Sequence, residues 1–114
     1  MKLFKTSSLV SVINASDFQT SLAWYQTWLG EPDVVPMENM AEWRIADNAW
    51  LQLTDSGTIA EAEVIIGVDD IAACRKALLG AGIEAGDIND WEVVLTCGIT
   101  DPDNHKIFFA QAVG

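Results

Sequence analysis

Apolar residues recur along this chain with two different periods, and each change of period marks an element. Leu9 to Ile13 is a short apolar run interrupted only by Ser11, the pattern of a strand. Ser16 or Asp17 can cap a following helix, whose apolar positions Phe18, Leu22, Tyr25 and Leu29 fall on one helical face, and Gly30 stands where a helix stops. The same signals then return. Val64 to Val68 is a second apolar run, Asp69 or Asp70 a second cap, Ile71, Cys74 and Leu78 a second stripe, and Gly82 a second stop. Asp17 to Gly30 and Asp69 to Gly82 have the same spacing, so the two strand–helix units repeat at an offset of 52 residues.

The stretch after each helix repeats as well. Glu42 to Ala46 and Ala49 to Thr54 read as two strands around an Asp47-Asn48 turn, because Asp and Asn tolerate the backbone such turns demand. Val93 to Thr100 and Lys106 to Ala112 read the same way around Asp101-Pro102-Asp103-Asn104. The two turns are 56 residues apart, which matches Trp50, Gln52 and Leu53 with Lys106, Phe108 and Phe109 and leaves four residues inserted between the halves. The pattern predicts an α+β chain, one domain over 1–114. It is built of two βαβββ modules, about 7–57 and 61–113, joined through Asp55 to Ala60.

Composition narrows the setting. The chain has 114 residues, half of them hydrophobic and a fifth charged, enough for one packed core without disulfides or metal to hold it. The apolar run near the start is too short and too broken for a signal peptide or a membrane span. Cys74 and Cys97 fall in a predicted helix and a predicted strand with no CxxC spacing, which points to reduced thiols and a cytoplasmic location. Seventeen acidic residues against six basic give a net charge of −11. That field disfavours nucleic acid and anionic membranes as partners and tolerates a neutral or cationic small ligand, although solubility alone also accounts for it.

Three motifs in order resemble a known superfamily. Asp17-Phe18-Gln19-Thr20-Ser21-Leu22-Ala23-Trp24-Tyr25 with Trp28-Leu29-Gly30 is similar to the first-helix signature of the vicinal-oxygen-chelate proteins, which include glyoxalases, bleomycin-resistance proteins and extradiol dioxygenases. Val68-Asp69-Asp70-Ile71 resembles their second strand-to-helix junction, and Asp101-Pro102-Asp103-Asn104-His105-Lys106-Ile107 their late DPDG turn, with Asn104 in place of Gly. The resemblance implies the glyoxalase/bleomycin-resistance/dihydroxybiphenyl-dioxygenase fold, in which curved mixed sheets surround a cavity and two modules face each other within a chain or across a dimer. It also implies where metal ligands would stand. Those positions here are Val10 and Glu63 on the first strands and Gln52 and Phe108 on the last, where the enzymes commonly hold His and Glu. Val10 and Phe108 offer no donor atom, so no metal and no other cofactor is expected. His105, the sole histidine, falls in the turn and reads as a solvated loop residue.

Strand alternation extends the cavity face from those anchors. Val12 and Asn14 accompany Val10, Trp50 and Thr54 accompany Gln52, Ile65 accompanies Glu63, and Lys106 and Ala110 accompany Phe108. Placing Trp43 and Ile45 under the helices leaves Glu42, Arg44 and Ala46 on the cavity side; the opposite register of that strand would turn Trp43 inward. The candidate ligand-binding set is Val10, Val12, Asn14, Arg44, Trp50, Gln52, Glu63, Ile65 and Phe108. Trp50 is the candidate for stacking on a ligand. Trp24 and Trp28, one turn apart, read as core or interface, and Trp91 has no assigned place. Glu63 is the candidate catalytic group. Burial would raise its pKa and suit it as a base, Arg44 beside it would lower the pKa and make an ion pair, and an exposed charge at a dimer rim is the plain alternative.

Three functions follow as expectations: a metal-free protein that binds an aromatic or cationic organic molecule, a glyoxalase-like lyase, isomerase or dioxygenase with a non-standard site around Glu63, or an interaction module. A homodimer is expected in each, because half-cavities in so short a chain are closed by a partner.

Overall fold

A computed structural model describes Leu3, residues 5–58 and residues 62–113; the expected connector's last positions, 59 and 60, and the second module's start at 61 lie outside the described residues. The elements in order are β1 (Leu9–Asn14), α1 (Phe18–Leu29), β2 (Met40–Ala46), β3 (Ala49–Thr54), β4 (Glu63–Gly67), α2 (Ile71–Gly80), β5 (Asn89–Asp90), β6 (Val94–Thr100) and β7 (Lys106–Ala112).

Each helix takes the second of its two candidate caps. Asp17 accepts the backbone N–H of Thr20 at 3.1 Å, and Asp70 accepts that of Ala73 at 3.0 Å, each meeting a donor that the first helical turn leaves unpaired. The caps are therefore 53 residues apart rather than the expected 52. α2 ends in a Schellman motif: the N–H of Ile83 donates to Leu78 O at 3.0 Å and that of Gly82 to Leu79 O at 3.1 Å. Gly82 lies at φ 83°, where a side chain is strained, and buried Leu78 and Ile83 close the motif.

The strands form a three-stranded sheet in the order β1-β3-β2 and a four-stranded sheet in the order β4-β7-β6-β5. In both, the first strand of the unit runs parallel to the last, which is antiparallel to the one before it. The registers also repeat. Val10 faces Trp50 across the pair as Glu63 faces Lys106, and Glu42 faces Gln52 as Gly98 faces Phe108. Asn48 at φ 60° and Asn104 at φ 68° turn the two hairpins. The first unit departs from βαβββ in one respect. Among the described residues, the strand between α1 and β2 is reduced to a single bridge between Val34 and Glu42. Pro32 and Pro36 flank it, and neither carries an N–H to donate to a ladder.

The helix-side faces of the two sheets share one core, which includes Ile13, Tyr25, Trp43, Leu51, Ile107 and Phe109. Trp43 is thus under the helices, its Nε1–H donating to Gly30 O at 2.9 Å. This decides the register of the Glu42 strand as first assigned. Trp24 and Trp28 pack partly buried against the core, and Trp28 meets Phe109 of the second unit edge-on at 5.6 Å.

The Asp101–Asn104 turn differs most from expectation. His105 is 1 % exposed, not solvated. Asp101 folds back over its own turn: its Oδ1 accepts the N–H groups of Asp103 at 2.9 Å and His105 at 2.8 Å, and its Oδ2 accepts from His105 Nδ1 at 2.7 Å. The phenol of Tyr25 reaches the same oxygen at 2.7 Å. Alongside, Asp103 accepts from the backbone N–H of Ser16 at 3.0 Å and from its hydroxyl at 2.5 Å. The start of α1 is thereby fastened to the last hairpin of the second unit.

Candidate functional site

Alternation along β1 and β3 buries Ile13, Leu51 and Leu53 and turns their neighbours to the other face. Val10, Val12 and Asn14 therefore share a face with Trp50 and Gln52. On the second sheet the same logic puts Glu63 and Ile65 beside Lys106 and Phe108. In a single chain both faces are open. Val10 is 42 %, Val12 48 % and Ile65 68 % exposed.

The polar candidates have specific partners. Gln52 Nε2 donates to Glu42 Oε2 at 2.7 Å, which orients the amide across the first face. Asn14 Oδ1 accepts the N–H of Gly57 at 2.9 Å and so ties down the chain leaving β3. Glu63 is exposed at the start of β4 with Lys106 next to it in register. Arg44 does not join them. Its Nη2 lies 2.7 Å from Asp47 Oδ1, Asp33 Oδ2 accepts its backbone N–H at 2.7 Å, and the register becomes irregular just after it, between Arg44 and Ala46. Thr54, expected on the open face, is buried and bonded to Ser56.

Phe108 is half-buried because its ring lies across Gly98 on the neighbouring strand; a Cβ there would come within 3.0 Å and 3.1 Å of two ring carbons. Trp91 is on the same side, its Nε1–H donating to Thr96 Oγ1 at 3.0 Å. Thr96 belongs to the row of Gly98 on β6, so the indole leans back over the second sheet's open face. The sequence carries no periodic signal for Trp91, because the residue sits in a turn closed by its own N–H donating to Val94 O at 3.0 Å.

Of the nine candidates, the structure brings Trp50 and Ile65 together in a shallow pocket of about 100 Å³ where β3 and β4 approach each other. Three larger grooves, of about 730 Å³ beside Trp24 and Glu84, about 490 Å³ between the helices and about 390 Å³ beside Ser8 and Asn48, contain none of them except Arg44.

The four positions where the resemblance expects metal ligands do not fit a divalent centre. Val10 and Phe108 are hydrocarbon, which leaves only Gln52 and Glu63 with donor atoms, on different sheets, and among the described residues no three His, Cys, Asp or Glu side chains converge. Nor is any helix among them long and apolar enough to cross a membrane.

No family model matches the chain and no curated protein matches its sequence. Solved structures do match. A glyoxalase/bleomycin resistance protein from Catenulispora acidiphila DSM 44928 superposes with a TM-score of 0.85 at 26 % identity, over 95 % of this chain and 100 % of that one. TnmS3, an antibiotic-binding protein from Streptomyces sp. CB03234, superposes at 0.81 with 15 % identity over 99 % and 100 %. Lactoylglutathione lyase from Agrobacterium tumefaciens does so at 0.78 with 13 % identity over 94 % of each chain. The last two likenesses establish fold alone. With its repeated registers, its three ordered motifs and these superpositions, the chain belongs by fold to the vicinal-oxygen-chelate superfamily of glyoxalases, bleomycin-resistance proteins and dioxygenases.

Proposed function

We propose that this protein binds a small aromatic or cationic organic molecule on the open faces of its two sheets, without a metal, in a cavity that a second copy closes. One observation carries the reading: Val10, Val12 and Ile65 stand in solvent on the same faces as Trp50 and Phe108. Burying a side chain of that size is worth about 1.5–3 kcal/mol, and an exposed apolar face of this kind marks a binding site or an interface. Trp50, Phe108 and Trp91 supply ring faces, the Glu42–Gln52 pair supplies an oriented amide, and Asn14, Glu63 and Lys106 add polar groups around them. A net charge of −11 favours a cation over an anion at long range.

TnmS3, which superposes on this chain, is an antibiotic-binding protein, which supports a small organic molecule as the ligand. Catalysis at Glu63 has only the shared fold behind it. Both cysteines are free, in keeping with the cytoplasmic location we assign.

The test is a titration of cationic and planar aromatic compounds followed by tryptophan fluorescence. Saturable quenching is expected with at least one class, weakened about tenfold by Trp50→Ala, a loss of about 1.4 kcal/mol. If no compound gives a saturable change, the reading is wrong.

A further inference from the structure

Cross-strand register lays out the open face of the second sheet in rows. Gly98 of β6 stands opposite Phe108 of β7, and the next row holds Thr96, Ala110 and Gly67, small residues from three neighbouring strands. Same-face positions on a strand lie about 6.7 Å apart. The small residues therefore make a low floor, with the Phe108 ring beside it and Trp91 bonded into it at Thr96. Both rings are held in place. The Phe108 ring lies across Gly98, where a Cβ would come within 3.0 Å and 3.1 Å of two of its carbons. Trp91 is 62 % exposed, yet its one polar atom is satisfied by Thr96 Oγ1 at 3.0 Å, so what it offers beyond that is ring surface. Its turn is fixed by the Trp91 N–H donating to Val94 O at 3.0 Å and the Glu92 N–H to Asp90 Oδ1 at 2.9 Å. Glu92 takes φ 74° there, a backbone that residues other than Gly, Asn and Asp seldom adopt.

What these groups offer defines what can sit on them. Two rings on adjacent rows can both meet one further ring at the ~4.5–7 Å centroid separations of aromatic pairs. In the row beyond Phe108, Glu63 stands next to Lys106, and their opposite charges offset each other. Shape rather than charge is thus the discriminating property at this place. Gly98 has a part in it. Glycine within a strand packs nothing and weakens the strand, and the φ of Gly98 is not in the left-handed region that would require it. What its missing Cβ provides is room for the Phe108 ring to lie down and present a face.

We propose that Phe108, Trp91 and the floor between them form a stacking subsite for a planar fused-ring aromatic, and that Gly98 sets this specificity by keeping the Phe108 ring flat. The inference rests on the binding function proposed above and assigns the aromatic part of the ligand to the second sheet. The probes are proflavine, a planar tricyclic cation, and amantadine, a cage-shaped cation of the same charge, each titrated into labelled protein and followed by amide and indole NMR. Proflavine should shift the Trp91 indole and the Thr96 and Ala110 amides saturably, and amantadine should bind there about tenfold more weakly. Gly98→Ala should weaken proflavine about tenfold, so that its advantage over amantadine disappears. Trp91→Leu and Phe108→Leu should each do the same. In Phe108→Leu protein the further change Gly98→Ala should have no effect, because the ring it acts through is gone, an interdependence that general damage to the fold would not produce. The proposal fails if proflavine binds the second face no better than amantadine, if Gly98→Ala binds proflavine as tightly as wild type, or if Gly98→Ala still acts in Phe108→Leu protein. Saturable proflavine shifts confined to the Val10 and Trp50 face would overturn this subsite and leave the proposed function standing. No saturable shift anywhere would also overturn the subsite, and the wider panel of compounds above would then decide the function.

Discussion

Asp101 carries more hydrogen bonds than any other side chain described here, and its surroundings explain why a turn residue became a core residue. Its carboxylate accepts from two backbone N–H groups, His105 and Tyr25. Burial, and then the bond to Asp101, push the Tyr25 phenol far above its ordinary pKa, so it remains a donor throughout the working range. Tyr25→Phe removes that donor and leaves the carboxylate its other three, so a loss of about 1–2 kcal/mol in urea denaturation is expected. Asp103 gives a pH-dependent counterpart. Burial works to raise its pKa, but the side-chain and backbone bonds from Ser16, the charge of His105 and the bond from Ser21 outweigh it, and the net value lies below the ordinary 3.8. A carboxyl whose folded pKa is depressed contributes stability that is complete above the unfolded value and disappears as the pH falls through the folded one. Wild type should therefore be more stable than Asp103→Asn at pH 7, and the gap between their urea midpoints should shrink as the pH falls below the ordinary carboxyl value.

At the scale of elements, the helices end where local chemistry stops them. The Schellman bonds after α2 need a residue at φ 83°, and Gly82 supplies it. Gly82→Ala forces a side chain into that region and should cost about 1–2 kcal/mol, seen as a lowered Tm with no change in the sheets. Gly98 acts through space rather than through its own backbone. Its missing Cβ lets the Phe108 ring lie flat across β6, so the second face has an aromatic floor instead of an upright ring. The single bridge at Val34 shows the opposite influence: two prolines limit what would have been a strand.

The whole molecule is flat for its length. Its extents are 42 × 42 × 24 Å and its radius of gyration 14.8 Å, against about 13 Å for a compact chain of roughly this size. Two sheets back onto one core and leave their other faces uncovered. A homodimer burying those faces should give twice the chain mass by light scattering at micromolar concentration, and a Tm that rises with protein concentration. A monomeric mass and a constant Tm would remove the partner from the proposed cavity.

Much of this architecture was legible in the chain alone, because its signals are local. The caps, the stops after the helices, the Asn-containing turns and the alternation of Ile13, Leu51 and Leu53 each depend on a few neighbouring residues. Their repetition carried the fold as far as the facing of Val10 and Gln52. What required the tertiary structure was every decision made between distant segments. His105 is buried because α1, some eighty positions earlier, covers its turn through Tyr25 and Ser16. Arg44 leaves the expected set because its guanidinium pairs with Asp47 in the following turn, 2.7 Å away, while Asp33 takes its backbone N–H at 2.7 Å. Trp91 joins the second face only through Thr96, its neighbour across a turn with no periodic signature. Periodicity reports which way a side chain leaves its own strand or helix; which partner it then meets depends on how separate elements pack, and that information is not local.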